Sequence, residues 1–176
     1  MKNIPPPFNL TNWISKNRHL LKPPVGNKNL YVDAGDFIVM IVAGPNARKD
    51  YHYNETEELF YQIKGEILVK TQQNGEKVEV SIKEGEMFLL PPKIPHSPIR
   101  PEGSVGLVIE RKRERFHKDG LMWFSEKENQ LLYEEYFHLT NIEKDFLPIF
   151  KKFYSNKKLR TCPVSGEIMP ADKRYI

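Results

Sequence analysis

From residue 37 to residue 111 the chain is a succession of short apolar, β-branched segments, each cut off by turn-forming residues. That pattern leaves room for strands and none for long helices. FIVMIVA (37–43) stops at Gly44-Pro45, ELFYQIK (58–64) at Gly65, and EILVKTQQ (66–73) at Asn74-Gly75, a strong hairpin signal. Val78, Val80 and Ile82 then alternate with polar neighbours, as a half-buried strand requires. KEGE makes the next turn, MFLL (87–90) the next strand, and VGLVIER (105–111) follows the PEGS turn. Many short strands at this spacing predict an all-β sandwich or barrel.

Helical patterns flank this core. Over 9–22, Leu10, Trp13, Ile14, Asn17 and Leu21 recur at helical spacing, with Pro23-Pro24 as the stop. Residues 121–137 predict two short strands. Thr140-Asn141-Ile142-Glu143 has capping-box form ahead of Phe146, Ile149, Phe150 and Phe153, which read as core or subunit contact, although Pro148 argues for a later helix start. The expectation is one domain over 1–176, with a barrel core at about 25–112 and a C-terminal extension at about 113–176.

Composition removes several classes of function. The single cysteine, Cys162, excludes an internal disulfide and suits a reducing cytosol, so a cytoplasmic location is expected. MKNIPPPFNL has no apolar signal-like region, and no apolar run approaches the ~20 residues of a membrane span. The net charge of +4 is scattered. Its densest clusters, Arg111-Lys112-Arg113 with Arg115, and Lys151-Lys152 with Lys157-Lys158, are interrupted by Glu114 or aromatics and read as solvated faces, so no nucleic-acid partner is expected.

Two stretches carry candidate chemistry: GPNARKDYHYNETEELFYQIKG (44–65) and GEMFLLPPKIPHSPIR (85–100). Each sets a histidine beside a turn, and the first adds Glu58. In a strand, Glu58, Phe60 and Gln62 share one face and Leu59 and Tyr61 the other. If the Phe60 face is inward, an unpaired Glu58 there would cost more than the ~2–7 kcal/mol of a buried neutral polar group, so it needs a cation. Two imidazoles and a carboxylate form the set that leaves open positions on non-haem Fe(II), where an ortho-aminophenol and O₂ can bind together. Taken singly, each histidine reads as an ordinary barrel residue and Glu58 as a surface strand residue. His19, His117 and His138 lack a partner spacing. Asp50, close to His52, reads as a loop carboxylate.

The spacings resemble the two cupin motifs. Glu58-x6-Gly65 fits the first, with His52 as its second histidine and Asp50 where the other would lie. Gly85-x5-Pro91 and His96 fit the second, with Lys93 and Arg100 replacing its glycine and asparagine. Within cupins, GPNARKDYH, EELFYQIKG, PPKIPHSPIRPEGS, GLVIER, LLKPPVGN, LMWF and LYEEYF resemble the 3-hydroxyanthranilate 3,4-dioxygenases over nearly the whole chain. The resemblance implies a jelly-roll-like cupin barrel with short N- and C-terminal helices. It implies one Fe(2+) per chain on His52, Glu58 and His96, and a substrate carboxylate held by Arg48 and Arg100. Glu110 is implied as the catalytic acid/base, and the substrate would also touch Glu58, Glu110, Asn27, Phe60 and Pro98. The activity implied is ring opening of 3-hydroxyanthranilate by O₂ to 2-amino-3-carboxymuconate semialdehyde, on the kynurenine route to quinolinate and NAD, in a homodimer.

One departure stands out. Bacterial members often carry a second, rubredoxin-like iron site on two CxxC pairs, whose positions here are Ser125, Glu128, Cys162 and Ser165. One thiolate cannot make a tetrahedral sulfur site. The rival readings are a dioxygenase for another carboxylated aminophenol or catechol, a non-catalytic cupin sensor for an aromatic acid, and a cupin sugar isomerase. A sugar site needs no pair of arginines aimed at a carboxylate, and a sensor usually has an attached effector domain.

Overall fold

A computed structural model describes residues 4–22, 26–46 and 48–176, with only the backbone of 142 and 143. Its strands are β1 (Asn27–Asn29), β2 (Phe37–Ala43), β3 (Tyr51–Tyr53), β4 (Glu58–Lys64), β5 (Ile67–Gln73), β6 (Glu76–Ile82), β7 (Met87–Leu90), β8 (His96–Ile99), β9 (Val105–Arg111), β10 (Asp119–Phe124) and β11 (Leu131–Phe137). The segments expected as strands within 37–111 are strands, within a residue or two at their ends. Asn74 and Gly75 both take positive φ, 53° and 82°, as the tight β5–β6 hairpin demands.

The strands form two antiparallel sheets, β1-β2-β9-β4-β7 and β11-β10-β3-β8-β5-β6. Within them, β2-β9-β4-β7 opposite β3-β8-β5-β6 is the strand order of an eight-stranded jelly roll, the cupin architecture. One core cluster joins Met40, Phe60, Leu90 and Val108 of the first sheet to Ile67, Val69 and Ile82 of the second, so these faces pack on each other. Strand parity decides what they carry. Glu58, Phe60 and Gln62 are buried and Tyr61 is exposed. Gly106, Val108 and Glu110 are likewise buried on β9.

The register sorts the inner face of the first sheet into rows. Glu58 pairs with both Glu110 and Leu90, Phe60 with Val108 and Phe88, and Gln62 with Gly106, which pairs through Val42 to Asn27. Across the cleft, His52 pairs with His96 and with Leu121, and His96 with Thr71. Functional side chains thus sit between the sheets, displacing apolar core at one end.

The C-terminal stretch extends the second sheet. β10 pairs with β3 and β11 with β10, and α2 (Ile142–Ser155) covers them. Pro148 lies inside this helix, contrary to the expected later start. The ~3 kcal/mol that an interior proline costs is offset by burial of Phe146, Ile149 and Phe153 against Leu121 and Trp123. Its N-cap is Asn141, whose side chain accepts from the Lys144 N–H; the Glu143 side of the expected box lies outside the described residues. The aromatics of α2 are core: Trp123 and Phe153 stack at 4.2 Å between ring centroids. Phe153→Ala should therefore cost about 3–5 kcal/mol of stability, read as a lower urea midpoint at unchanged m-value.

The first helix is shorter than its pattern. α1 runs Leu10–Lys16, because the Asn17 side chain donates to the Trp13 carbonyl and closes it, and residues 18–20 continue as a 3₁₀ turn. The expected stop at Pro23-Pro24 lies outside the described residues. Ile14 and Leu21 pack on Ile41 and Ala43, the outer face of the first sheet. Among the described residues no helix is long and apolar enough to cross a membrane.

Candidate active site

His52 on β3, Glu58 at the start of β4 and His96 at the start of β8 converge, each offering a ligand atom within 4.8 Å of the others. All three are buried, at 7%, 3% and 2% exposure. His52 Nδ1 lies 3.6 Å from Glu58 Oε1, and His96 Nε2 lies 3.2 Å from Glu58 Oε2. The other nitrogen of each ring is already engaged. His52 Nε2–H donates to Asp119 Oδ2 at 2.7 Å, and His96 Nδ1–H donates to the Ile94 carbonyl at 3.1 Å. In the neutral tautomers this selects, two imidazole lone pairs and a carboxylate face one another with no donor among them. That donor set fits a metal cation.

Charge also couples the same three groups. Burial pushes Glu58 up, but the two imidazoles and a 3.2 Å bond from Asn54 more than offset it and hold the carboxyl well below the usual range. Burial keeps His52 below the ordinary imidazole value, against the pull of Asp119 and Glu58. Burial also lowers His96, yet the adjacent Glu58 charge outweighs it and raises that ring. Phe146 of α2 covers His52, with 5.5 Å between ring centroids. The expected parity of Glu58 is therefore inward, and its surface reading falls.

Glu110, cross-strand from Glu58, is pushed up to about 7 by burial and by the Glu58 charge, with Arg113 pulling the other way. Arg113 Nη1 donates to Glu110 Oε2 at 2.6 Å, while its Nε and Nη2 donate to Asp119 at 2.9 and 2.7 Å. This corrects the reading of the 111–115 cluster as a solvated face: the Arg113 side chain is only 3% exposed. Its two carboxylate partners pull it inward where Arg111 and Arg115 stay out. Neither Arg113 nor Asp119 was visible as a site residue, because neither belongs to a spaced motif. Asn54 was missed too.

Arg100 follows β8 and is buried at 3% exposure. Its Nη1 finds no hydrogen-bond partner among the described residues. Burial and the charge of Arg48 lower this guanidinium to about 10. Such a group is costly unless an anion meets it. Its Nη1 lies 3.0 Å from where a Cβ on Gly106 would stand, beside the Gln62–Gly106 row that leads to half-buried Asn27. Arg48 is half-buried and paired with Asp50, itself buried, so Asp50 serves the arginine. Phe60 packs edge-on to His96 at 6.2 Å between centroids, and Pro98 lies buried two residues along β8, on the same face as His96. His19 and His138 are exposed and His117 half-buried, all apart from this cluster. A cleft of about 320 Å³ is lined by Arg48, Lys49, Tyr51, Lys70, Lys77 and Ser97 among others.

Ser125, Glu128, Cys162 and Ser165 also come together. Cys162 Sγ donates to Glu128 Oε2 at 3.6 Å, and the Ser125 and Ser165 hydroxyls accept from the Gln130 and Glu167 N–H groups. Backbone bonds from Cys162 N to the Glu167 carbonyl and from Gly166 N to the Cys162 carbonyl close the loop. Hydrogen bonds thus hold the segment where one thiolate cannot assemble a sulfur site.

The 3-hydroxyanthranilic acid dioxygenase family model matches residues 1–154. The 3-hydroxyanthranilate 3,4-dioxygenase of Xanthomonas campestris pv. campestris is 54% identical, over 97% of this chain and 96% of its own. That of Ruegeria pomeroyi is 47% identical, over 93% and 91%. A cupin-2 domain containing protein from Shewanella frigidimarina superposes with a TM-score of 0.47 at 17% identity, covering 60% of this chain and 94% of that one. The strand order, not that distant likeness, carries the fold. With relatives this similar along nearly its entire length, the chain belongs to the 3-hydroxyanthranilic acid dioxygenase family.

Proposed function

We propose that this protein opens the ring of 3-hydroxyanthranilate with O₂ to give 2-amino-3-carboxymuconate semialdehyde, at one Fe(II) per chain held by His52, Glu58 and His96. The observation that carries the reading is the pairing of that buried His–Glu–His donor set with a buried Arg100 whose Nη1 lacks a partner among the described residues. The first suits a divalent cation; the second suits the carboxylate of an aromatic acid. Bound Fe(II) would let electrons pass from the electron-rich ring to O₂ without an outside reductant.

The chain's own residues do the rest. Arg100 and Arg48 take the substrate carboxylate and so fix the ring's orientation. Phe60, Pro98 and Asn27 line the pocket, and the two sheets with Phe146 exclude water from the histidines. Glu110 accepts the proton released as the aminophenol binds, which its raised affinity for a proton favours. The cytosol is the proposed location, and the product would feed the route to quinolinate and NAD.

Anaerobic reconstitution with Fe(II), followed by oxygen uptake on adding 3-hydroxyanthranilate, tests the reading. Stoichiometric O₂ consumption with the semialdehyde as product is expected; binding without O₂ consumption would instead favour a sensor. Glu110→Gln keeps the shape and removes the base, so kcat should fall while iron content stays normal; an unchanged kcat would leave proton transfer to water. Elemental analysis should give one metal per chain, unaltered in Cys162→Ala, which should still open the ring. Two metals in the wild type and one in that variant would show that the Ser125–Glu128–Cys162–Ser165 cluster binds metal after all.

A further inference from the structure

We propose that Asp119 and Arg113 are positioning residues: Asp119 holds His52 in its metal-binding tautomer, and Arg113 locks that carboxylate to Glu110, so one guanidinium ties a metal ligand's support to the proton acceptor. The inference rests on the reading of His52, Glu58 and His96 as the iron site. Its basis is a continuous buried chain of bonds. His52 Nε2 lies 2.7 Å from Asp119 Oδ2, and the two residues are 7% and 1% exposed. Asp119 then receives Arg113 Nε on both oxygens, at 2.9 and 3.1 Å, and Nη2 at 2.7 Å. Arg113 Nη1 serves Glu110 at 2.6 Å and the Arg111 carbonyl at 3.0 Å.

The geometry distinguishes this network from a simple ion pair that pins the 112–118 connection. A neutral imidazole can present Nδ1 to a metal only if its proton sits on Nε2, and a carboxylate at 2.7 Å makes that tautomer the favoured one. Asp119 could swing toward solvent but for Arg113, whose planar fork occupies both its oxygens. The same fork fixes Glu110 one strand away from Glu58. A lysine, with one point charge, cannot span two carboxylates in this way.

The test is Co(II) binding to the metal-free full-length protein, followed by its visible spectrum, alongside kcat and KM of the Fe(II) form. Asp119→Asn, nearly isosteric, should weaken Co(II) binding by about 10–100-fold. Arg113→Lys should shift Co(II) affinity in the same direction and lower kcat, while KM for 3-hydroxyanthranilate changes little because Arg48 and Arg100 are untouched. Near-UV circular dichroism establishes which variants are folded, and Arg113→Lys decides the matter if Asp119→Asn is not. Wild-type Co(II) affinity in the folded variants, with only a lower Tm, would reduce the network to scaffolding and overturn the inference alone, provided His96→Ala loses Co(II). A wild-type protein that takes up no Co(II) would overturn the inference together with the iron site on which it rests.

Discussion

Replacing His96 with alanine should abolish both metal retention and ring opening. His96 supplies the lone pair nearest Glu58, at 3.2 Å, from a position only 2% exposed. No other described side chain stands ready to replace it, since Thr71 and His52, its cross-strand partners, are respectively bonded to the Val78 carbonyl and already in the donor set. The loss should exceed the chemistry alone. Removing one partner of a buried charged group leaves an uncompensated carboxylate, at a cost of about 3–5 kcal/mol. His52→Ala should behave alike, whereas His138→Ala, on an exposed ring bonded to the His117 carbonyl, should alter neither iron content nor rate. Full activity in metal-free His96→Ala protein would sink the assignment of the ligands.

Arg100→Ala should cut kcat/KM for 3-hydroxyanthranilate by about tenfold to a hundredfold, the equivalent of a charge-assisted contact worth roughly 1.5–3 kcal/mol. The free protein bears this guanidinium buried, with Nη1 unpaired among the described residues and the proton affinity lowered to about 10 by burial and by Arg48. A substrate carboxylate would relieve both penalties, so the largest loss is expected at this residue. Arg48 is less exposed to the same argument, because Asp50 already neutralises it. Removing Arg48 should accordingly cost less than removing Arg100. The discriminating substrate is 2-aminophenol, which lacks the carboxylate. It should be poor with the wild type and lose little further in Arg100→Ala. Equal losses for both substrates would make the arginine a structural or general electrostatic element rather than a carboxylate clamp.

Much of this site was legible from residue order because its logic is local. Strand parity placed Glu58, Phe60 and Gln62 on one face, and the structure buries all three, as it does Gly106, Val108 and Glu110 of β9. Turn chemistry placed the β5–β6 hairpin at Asn74-Gly75. The spacing of His52, Glu58 and His96 matched a motif whose members meet once β3, β4 and β8 are built. The helices were less legible. Pro148 has a local cost that a single segment cannot reveal as compensated, and the compensation is the packing of Phe146 and Phe153 on Trp123.

Sequence by itself determined an all-β class, its turns and which residues share a strand face, because period-two patterning and turn residues act over a few residues; the family resemblance supplied the jelly-roll form and the candidate ligands, arginines and glutamate. Only the tertiary structure decided that Arg113 leaves the basic cluster for the interior and that Asp119 supports His52 from 67 positions away. It also decided that Arg100 is buried with Nη1 unpaired among the described residues, while Arg48 is neutralised by Asp50. These depend on which strands lie side by side. The burial of a charged group is affordable only when its partner arrives from elsewhere in the chain, and no local pattern records that arrival.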